Sequence, residues 1–217
     1  AICVEVAMAA DIEDINIVQR PNGKVRESTA IAGLLIDGEK LDHVMPDAVE
    51  DPKIGLIAAD IDIPDYAQQL NVQLKDNSGV KEFIDSRNAQ LVEIGEQLKA
   101  TGLNVLFCSR ELHPAIIEHL AAHNIYAVRR VRRSDMEALA KATGARIVMN
   151  IDTFSDKDLG TSDLLEEVSI GERPMIKITG TPNKSTVSVL VRAPTHHVVE
   201  EIKRAFDDAI GVVSIAN

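Results

Sequence analysis

The chain has 217 residues and no tryptophan, with only two tyrosines and four phenylalanines. Its core must therefore be built from Ile, Val, Leu and Ala. There are two cysteines, Cys3 and Cys108. Both sit in apolar stretches and read as buried thiols of a reducing compartment rather than a disulfide. Basic residues are outnumbered, 23 to 34, for a formal net charge of −11. A nucleic-acid binder needs a basic face to neutralise phosphates, so nucleic acid is not the expected partner. No apolar run reaches the roughly 18 residues of a membrane span, so no membrane partner is expected either. The first eleven residues, AICVEVAMAAD, have no basic residue ahead of the apolar ones, and Glu5 interrupts them. They read as the tail of a helix begun outside this chain, not as a signal peptide, and the cytoplasm is the expected location.

Catalytic signatures are also missing. There is no G-x-x-x-x-G-K-[ST] loop and no G-x-G-x-x-G. No cysteine pair has zinc spacing, no H-E-x-x-H occurs, and Ser109 lacks a surrounding G-x-S-x-G. His113, His119 and His123 fall on one predicted helix. His119 and His123 are four apart and within reach of one metal, but no third ligand is evident. They read as solvated histidines of an outer face, and no metal site is assigned. The adjacent pair His196-His197 points apart on a helix. Arg129, Arg130, Arg132 and Arg133 cluster before a helix and, on so acidic a chain, read as a surface loop paired with carboxylates.

What is present is a regular pattern. INIVQR (15–20) and STVSVLVR (185–192) alternate apolar and polar as half-buried strands do. They have no other obvious partner and are expected to pair with each other. GLLID (33–37) and KIGLIA (53–58) are strand-length apolar runs. Residues 60–79 show no period, contain Pro64 and end in Asp76-Asn77-Ser78-Gly79, so they read as an excursion from the body. A helix is predicted over 80–101, with Val80, Phe83, Ile84, Leu91, Ile94, Gly95 and Leu98 on one face and Gly102 closing it. Strand, helix, strand, helix, strand then follow at 104–108, 111–123, 125–131, 134–144 and 145–150. Ser134 and Glu137 form a candidate capping box. Short loops between these elements favour parallel pairing. Two more strands are predicted near 163–170 and 174–179. Thr195 is the candidate N-cap of a last helix, whose apolar face comprises Val198, Val199, Ile202, Ala205, Phe206, Ala209 and Ile210. From the residues alone this is an α/β protein with a protruding insertion and no self-contained catalytic site.

The residues also resemble a known family. AVRRVRRSDMEALAKATGARIVMNID (127–152), LKATGLNVLFCSRELHPAIIEHLAAHNIYAVRR (98–130), DLGTSDLLEEVSIGERPMIKITG (158–180) and VVEEIKRAFDDAIGVV (198–213) are similar to segments of the group II, archaeal-type chaperonins. INIVQR, GLLID and KIGLIAADIDI match in the same order. The resemblance implies an α/β apical domain (a β-α-β-α-β core with a helical lid) inserted into a small α+β intermediate domain. Residues 1–32 and 181–217 would form the intermediate domain and 33–180 the apical domain, with the lid at about 60–88. The family's equatorial, nucleotide-binding segments and its G-D-G-T-[ST] motif have no counterpart here. The family's Arg-Gly-Gly turn is replaced by Arg192-Ala193-Pro194.

The resemblance further implies function. The chain would capture unfolded client proteins and close over them within a ring of chaperonin subunits. Tyr66, Leu70, Val72, Val80 and Phe83 would supply apolar contacts of the lid, and Ile117, left facing outwards if Leu112, Ile116 and Leu120 face the core, would bind client. Asp208 aligns with the family's water-positioning aspartate, which acts on ATP and magnesium held by the equatorial domain. No cofactor is expected in this chain, and no ATP hydrolysis by it alone. A stand-alone, ATP-independent module that holds unfolded proteins is the alternative.

Overall fold

The computed structural model describes residues 15–61, 77–171 and 173–216; within the helices, the side chains of 77–88, 210 and 212–216 are left undescribed. Cys3, Tyr66, Leu70 and Val72 lie outside these residues. In chain order the elements are β1 (Ile15–Arg20), β2 (Thr29–Ala32), β3 (Leu34–Asp37), β4 (Ala48–Glu50), β5 (Lys53–Ile57), α1 (Asn77–Ala100), β6 (Val105–Cys108) and α2 (Pro114–Ala122). They continue with β7 (Tyr126–Val128), α3 (Arg133–Thr143), β8 (Ile147–Val148), β9 (Gly160–Thr161), β10 (Leu164–Ile170), β11 (Arg173–Thr179), β12 (Val187–Arg192) and α4 (His196–Ala216).

The β-α-β-α-β pattern forms a parallel sheet in the order β7-β6-β5-β8, with β9 antiparallel to β5. Both faces of this sheet are covered, which is why its strands read as continuous apolar runs. Leu56, Phe107 and Tyr126 pack on one face with Met136 and Leu139 of α3 and with Ile36, Leu165 and Ile176 of a second sheet. Ile57, Leu106 and Cys108 pack on the other with Leu91 and Leu98 of α1 and Ile116 and Leu120 of α2. The second sheet is antiparallel, in the order β3-β11-β10-β4. Tyr126 is fully buried, and its hydroxyl donates to Glu167 Oε2 at 3.2 Å. Burial, with the Glu167 charge beside it, holds that phenol well above its usual range.

The two alternating segments pair as expected. β1 runs parallel to β12, Ile15 opposite Val187 and Arg20 opposite Arg192, and β2 adds antiparallel on the other side. The alternation of β12 has a different cause from the one inferred. Its residues are buried on both faces. Val187, Val189 and Val191 pack with Val199 and Phe206 of α4. Leu190 packs with Leu35 and Met175 of the second sheet. Its one serine, Ser188, is fully buried.

Ser188 joins the two sheets. Its hydroxyl donates to Gly33 O at 3.0 Å and accepts from Leu35 N at 2.8 Å. Asn16 Nδ2 donates to Leu35 O at 2.9 Å, and Gly33 N donates to Thr186 O at 3.0 Å. β3 is an edge strand of its sheet, and side chains of β1 and β12 satisfy the edge groups that a neighbouring strand would otherwise pair. Arg20 closes the joint with a two-pronged bond to Asp37, at 2.6 and 3.3 Å.

Several boundaries differ from the sequence reading. α1 begins at Asn77, so Asn77-Ser78-Gly79 are helical; propagating an existing helix outweighs the weak propensities of these three residues. Residues 60 and 61 belong to the body. Ile61 is buried and bridges Leu112, and Asp60 Oδ1 accepts from Glu111 N at 3.2 Å. α2 starts at Pro114, where a missing N–H costs nothing, and His113 caps it by accepting from Ala115 N. β7 stops at Val128 because the chain turns at Arg130, φ +56°. β8 keeps only two of the six residues expected. The capping box does not form. α3 starts at Arg133, so Ser134 is already helical, and Glu137 pairs with Arg133 at 2.8 Å instead. On α4, Thr195 Oγ1 lies 3.4 Å from Val198 N as an N-cap does. Val198 is 37% exposed and Ala205 is exposed, so the buried stripe is narrower than expected and runs through Val199, Ile202 and Phe206.

Candidate functional site

The carboxyl ends of the parallel strands are where an α/β sheet ordinarily offers a ligand crevice. Here that end is lined by Ala58, Ser109, Val131, Met136, Ile147 and Met149, together with the arginine loop. No histidine lines it, so Ser109 has no base and makes no nucleophilic pair. The arginines are occupied as the acidic composition implies. Arg129 Nη1 lies 3.4 Å from Glu111 Oε2, and Arg130 pairs with Glu111 as well. Arg132 reaches Asp37 at 3.6 Å, and Arg133 holds Glu137. Cys108, under the same sheet, is free and buried, with its thiol donating to Ala59 O at 3.2 Å. Burial pushes that thiol up to about 11, which removes it as a nucleophile near neutral pH. The ion pairs and the Cys108 hydrogen bond tie these groups into the fold.

Exposed apolar surface offers more. α1 and α2 pack together against one face of the parallel sheet. On α1, Val92 is 51% exposed, and just after β8 Met149 is 77% exposed. Ile117 is not the outward residue expected. It is half-buried and packs against the core that α1 and α2 share. Solvent-exposed apolar side chains of this kind suit weak, non-directional binding of unfolded chains. The backbone of Val80 and Phe83 falls within α1, and their side chains are outside the described residues.

The reading of His119 as a solvated outer-face residue is also corrected. Its side chain is only 14% exposed, against α1. Asp208 lies exposed on α4, and its neighbour Asp207 is 3.8 Å from Lys203 in an i,i+4 pair. Among the described residues, the two expected site residues with described side chains, Ile117 and Asp208, lie on different helices. Ile117 belongs to the α1–α2 face, Asp208 to the far helix, and Tyr66, Leu70 and Val72 to undescribed chain. Among the described residues no helix is long and apolar enough to cross a membrane.

Comparison with known proteins agrees with this architecture. A family model described as the TCP-1/cpn60 chaperonin family matches residues 1–217. Thermosome subunit beta of Thermoplasma acidophilum is 38% identical over 206 residues, covering 95% of this chain and 38% of that protein. A thermosome subunit of Methanocaldococcus jannaschii is 38% identical over 216 residues, 100% of this chain and 40% of its own length. The chain therefore spans about two fifths of the curated relatives it matches. The open-state monomer of a group II chaperonin from Methanococcoides burtonii superposes with a TM-score of 0.80 at 30% identity, over 97% of this chain and 49% of that one. With the whole chain matched in sequence and its fold matched in space, the protein belongs to the TCP-1/cpn60 chaperonin family, on its group II branch.

Proposed function

We propose that this chain is the client-binding and lid-forming portion of a group II chaperonin subunit. The observation that carries the reading is the unbroken similarity of residues 1–217 to chaperonin subunits. In it, residues 33–180 act as the apical domain and residues 1–32 with 181–217 as the intermediate domain. Support for that division comes from the β1–β12 pairing, which brings together segments about 170 residues apart, and from the Gly33–Ser188 joint where the chain passes from one sheet to the next. Exposed Val92 of α1 contributes to capture, and residues of about 60–88 supply the lid. That segment leaves the body at the Ile61–Leu112 bridge and returns through α1, which Leu91 and Leu98 anchor.

Nucleotide chemistry is assigned to the remainder of the subunit, since the chain carries no phosphate-cradling loop. Within the full-length subunit Asp208 orients the attacking water; an exposed carboxylate can accept a hydrogen bond from that water. Partners are unfolded polypeptides and neighbouring subunits of the ring, in the cytoplasm.

The lid role has a direct test in the full-length ring. Deleting 62–86 and bridging the ends is expected to leave client capture intact and to abolish enclosure, read as protease sensitivity of the bound client in the presence of ATP. A deletion ring that still protects its client would reject the lid assignment. One that no longer captures client would move the binding site into the deleted segment.

A further inference from the structure

Where α1 crosses α2, α1 carries a glycine. A glycine in a helix interior costs up to about 1 kcal/mol relative to alanine, so its presence calls for a local reason. At Gly95 a Cβ would stand 2.5 Å from Cδ2 and 2.9 Å from Cγ of His119. The imidazole of α2 fills the space a side chain on α1 would take. Gly95 falls on the buried face of α1, between Leu91 and Leu98.

His119 is not there as filler. Its Nε2 is buried and has no hydrogen-bond partner. That nitrogen lies 3.4 Å from Glu96 Oε1, while the other carboxylate oxygen, Oε2, is turned to Lys99 at 3.7 Å. One turn on, the ring of His123 lies 4.4 Å from that of His119, tilted 40°. His123 Nδ1 is 2.8 Å from the carbonyl oxygen of His119. As a donor to that carbonyl, Nδ1 leaves Nε2 with the free lone pair. A backbone carbonyl on one ring nitrogen is the usual means of orienting the other toward a metal. Glu96, His119 and His123 each offer a ligand atom, all within 4.8 Å of one another.

We propose that Glu96, His119 and His123 form a zinc site that ties α1 to α2, with the fourth position of a tetrahedron open to water. Two imidazoles and a carboxylate are a donor set that zinc accepts in this arrangement. Zinc–ligand bonds of about 2.0–2.1 Å place tetrahedral ligand atoms roughly 3.4 Å apart, which is the spacing of His119 Nε2 and Glu96 Oε1. His123 closes the set by a side-chain adjustment of about an ångström. The metal binds neutral imidazole. A bound metal would also give the buried Nε2 the partner it lacks and would fix α1 where it leads back from the 62–76 segment.

The test uses the whole chain, stripped with a chelator. Titration with zinc at pH 7.5, followed by calorimetry, is expected to show one saturable site. Cobalt(II) at the same site is expected to give the intense visible bands of tetrahedral coordination. Zinc at a hundredfold excess over its dissociation constant is expected to raise the thermal midpoint by about 5–10 °C. Glu96→Gln and His123→Gln each alter a side chain at the rim of the contact, so folding is retained. Each is expected to weaken zinc by more than about tenfold, the loss that even outer-sphere partners of a metal cause. His43→Gln, at a side chain 94% exposed, is expected to change nothing. A chain that shows no saturable zinc binding overturns the proposal, as does zinc binding of unchanged strength in the Glu96→Gln, His123→Gln double variant.

Discussion

Replacing Gly33 with alanine is expected to lower the thermal midpoint by roughly 6–12 °C, the equivalent of about 3 kcal/mol in a chain of this size. Gly33 sits at φ +121°, a conformation that L residues rarely adopt. Holding a non-glycine residue there costs about 1–3 kcal/mol by itself. A Cβ would in addition run into the carbonyl oxygen of Ile178 on β11, and backbone in a paired strand does not give way. The glycine cannot move without breaking the joint, since its N–H donates to Thr186 O and its carbonyl accepts from Ser188. If β3 shifts, the buried amide of Leu35 also loses the Ser188 hydroxyl, and an orphaned buried amide costs about 1–3 kcal/mol. Gly211→Ala is the control. A Cβ at Gly211 meets open space, and alanine favours the helix, so no loss of stability is expected there. Equal midpoints for Gly33→Ala and the unsubstituted chain would show that the joint is not built as described.

Asp208→Ala, made in a full-length subunit assembled into rings, is expected to slow ATP hydrolysis by at least about tenfold, a barrier increase of about 1.4 kcal/mol or more, and to leave nucleotide affinity within a factor of about two. The expectation rests on the proposed role of Asp208 in orienting water, which predicts an effect on turnover and not on binding. Asp207→Ala separates this role from a general loss of charge on α4. Both carboxylates are exposed, but Asp207 is already engaged by Lys203 one turn away. It is expected to have little effect on turnover, since exposed pairs of this kind are worth only a few tenths of a kcal/mol. Equal slowing by both substitutions, or a loss of nucleotide affinity on Asp208→Ala, would remove Asp208 from the proposed role. The isolated chain is expected to release phosphate no faster than a blank.

Much of this fold is legible in the order of residues, and the exceptions have physical causes. The parallel sheet was legible because β5, β6 and β7 are short apolar runs, with a helix-length segment between β6 and β7, and each is buried on both faces. β2, β4 and β9, two to four residues each, were not. They exist only where a neighbouring strand supplies partners, and so short a segment has no period to read. The alternation of β12 identified a strand correctly and its environment wrongly. Two different cores flank it, and the small polar Ser188 is an inward residue serving the backbone of β3.

The misreadings at α2 share one origin. From spacing alone, the side of α2 away from Leu112, Ile116 and Leu120 faces water. The flanks of that side are covered: His119 packs against α1 at Gly95, and Ile117 packs against the core that the two helices share. Glu96 stands 23 residues before His119 on another helix, so no local pattern connects them. Only the packing of α1 on α2 does. One trace was present in the sequence: Gly95 on the apolar face of a predicted helix marks a place where something approaches closely. In this structure that neighbour is the ring of His119.

On the proposed function, this chain recognises unfolded protein through apolar surface, without nucleotide. The most direct measurement is a titration of the chain into a fluorescently labelled, reduced and carboxymethylated protein that cannot fold, with its native form as the competitor. The account predicts saturable binding that persists at high salt, because apolar contact is not screened. It also predicts that Val92→Ser weakens this binding and that the native competitor does not displace the probe. No binding, binding that salt abolishes, or equal displacement by the native protein would contradict it.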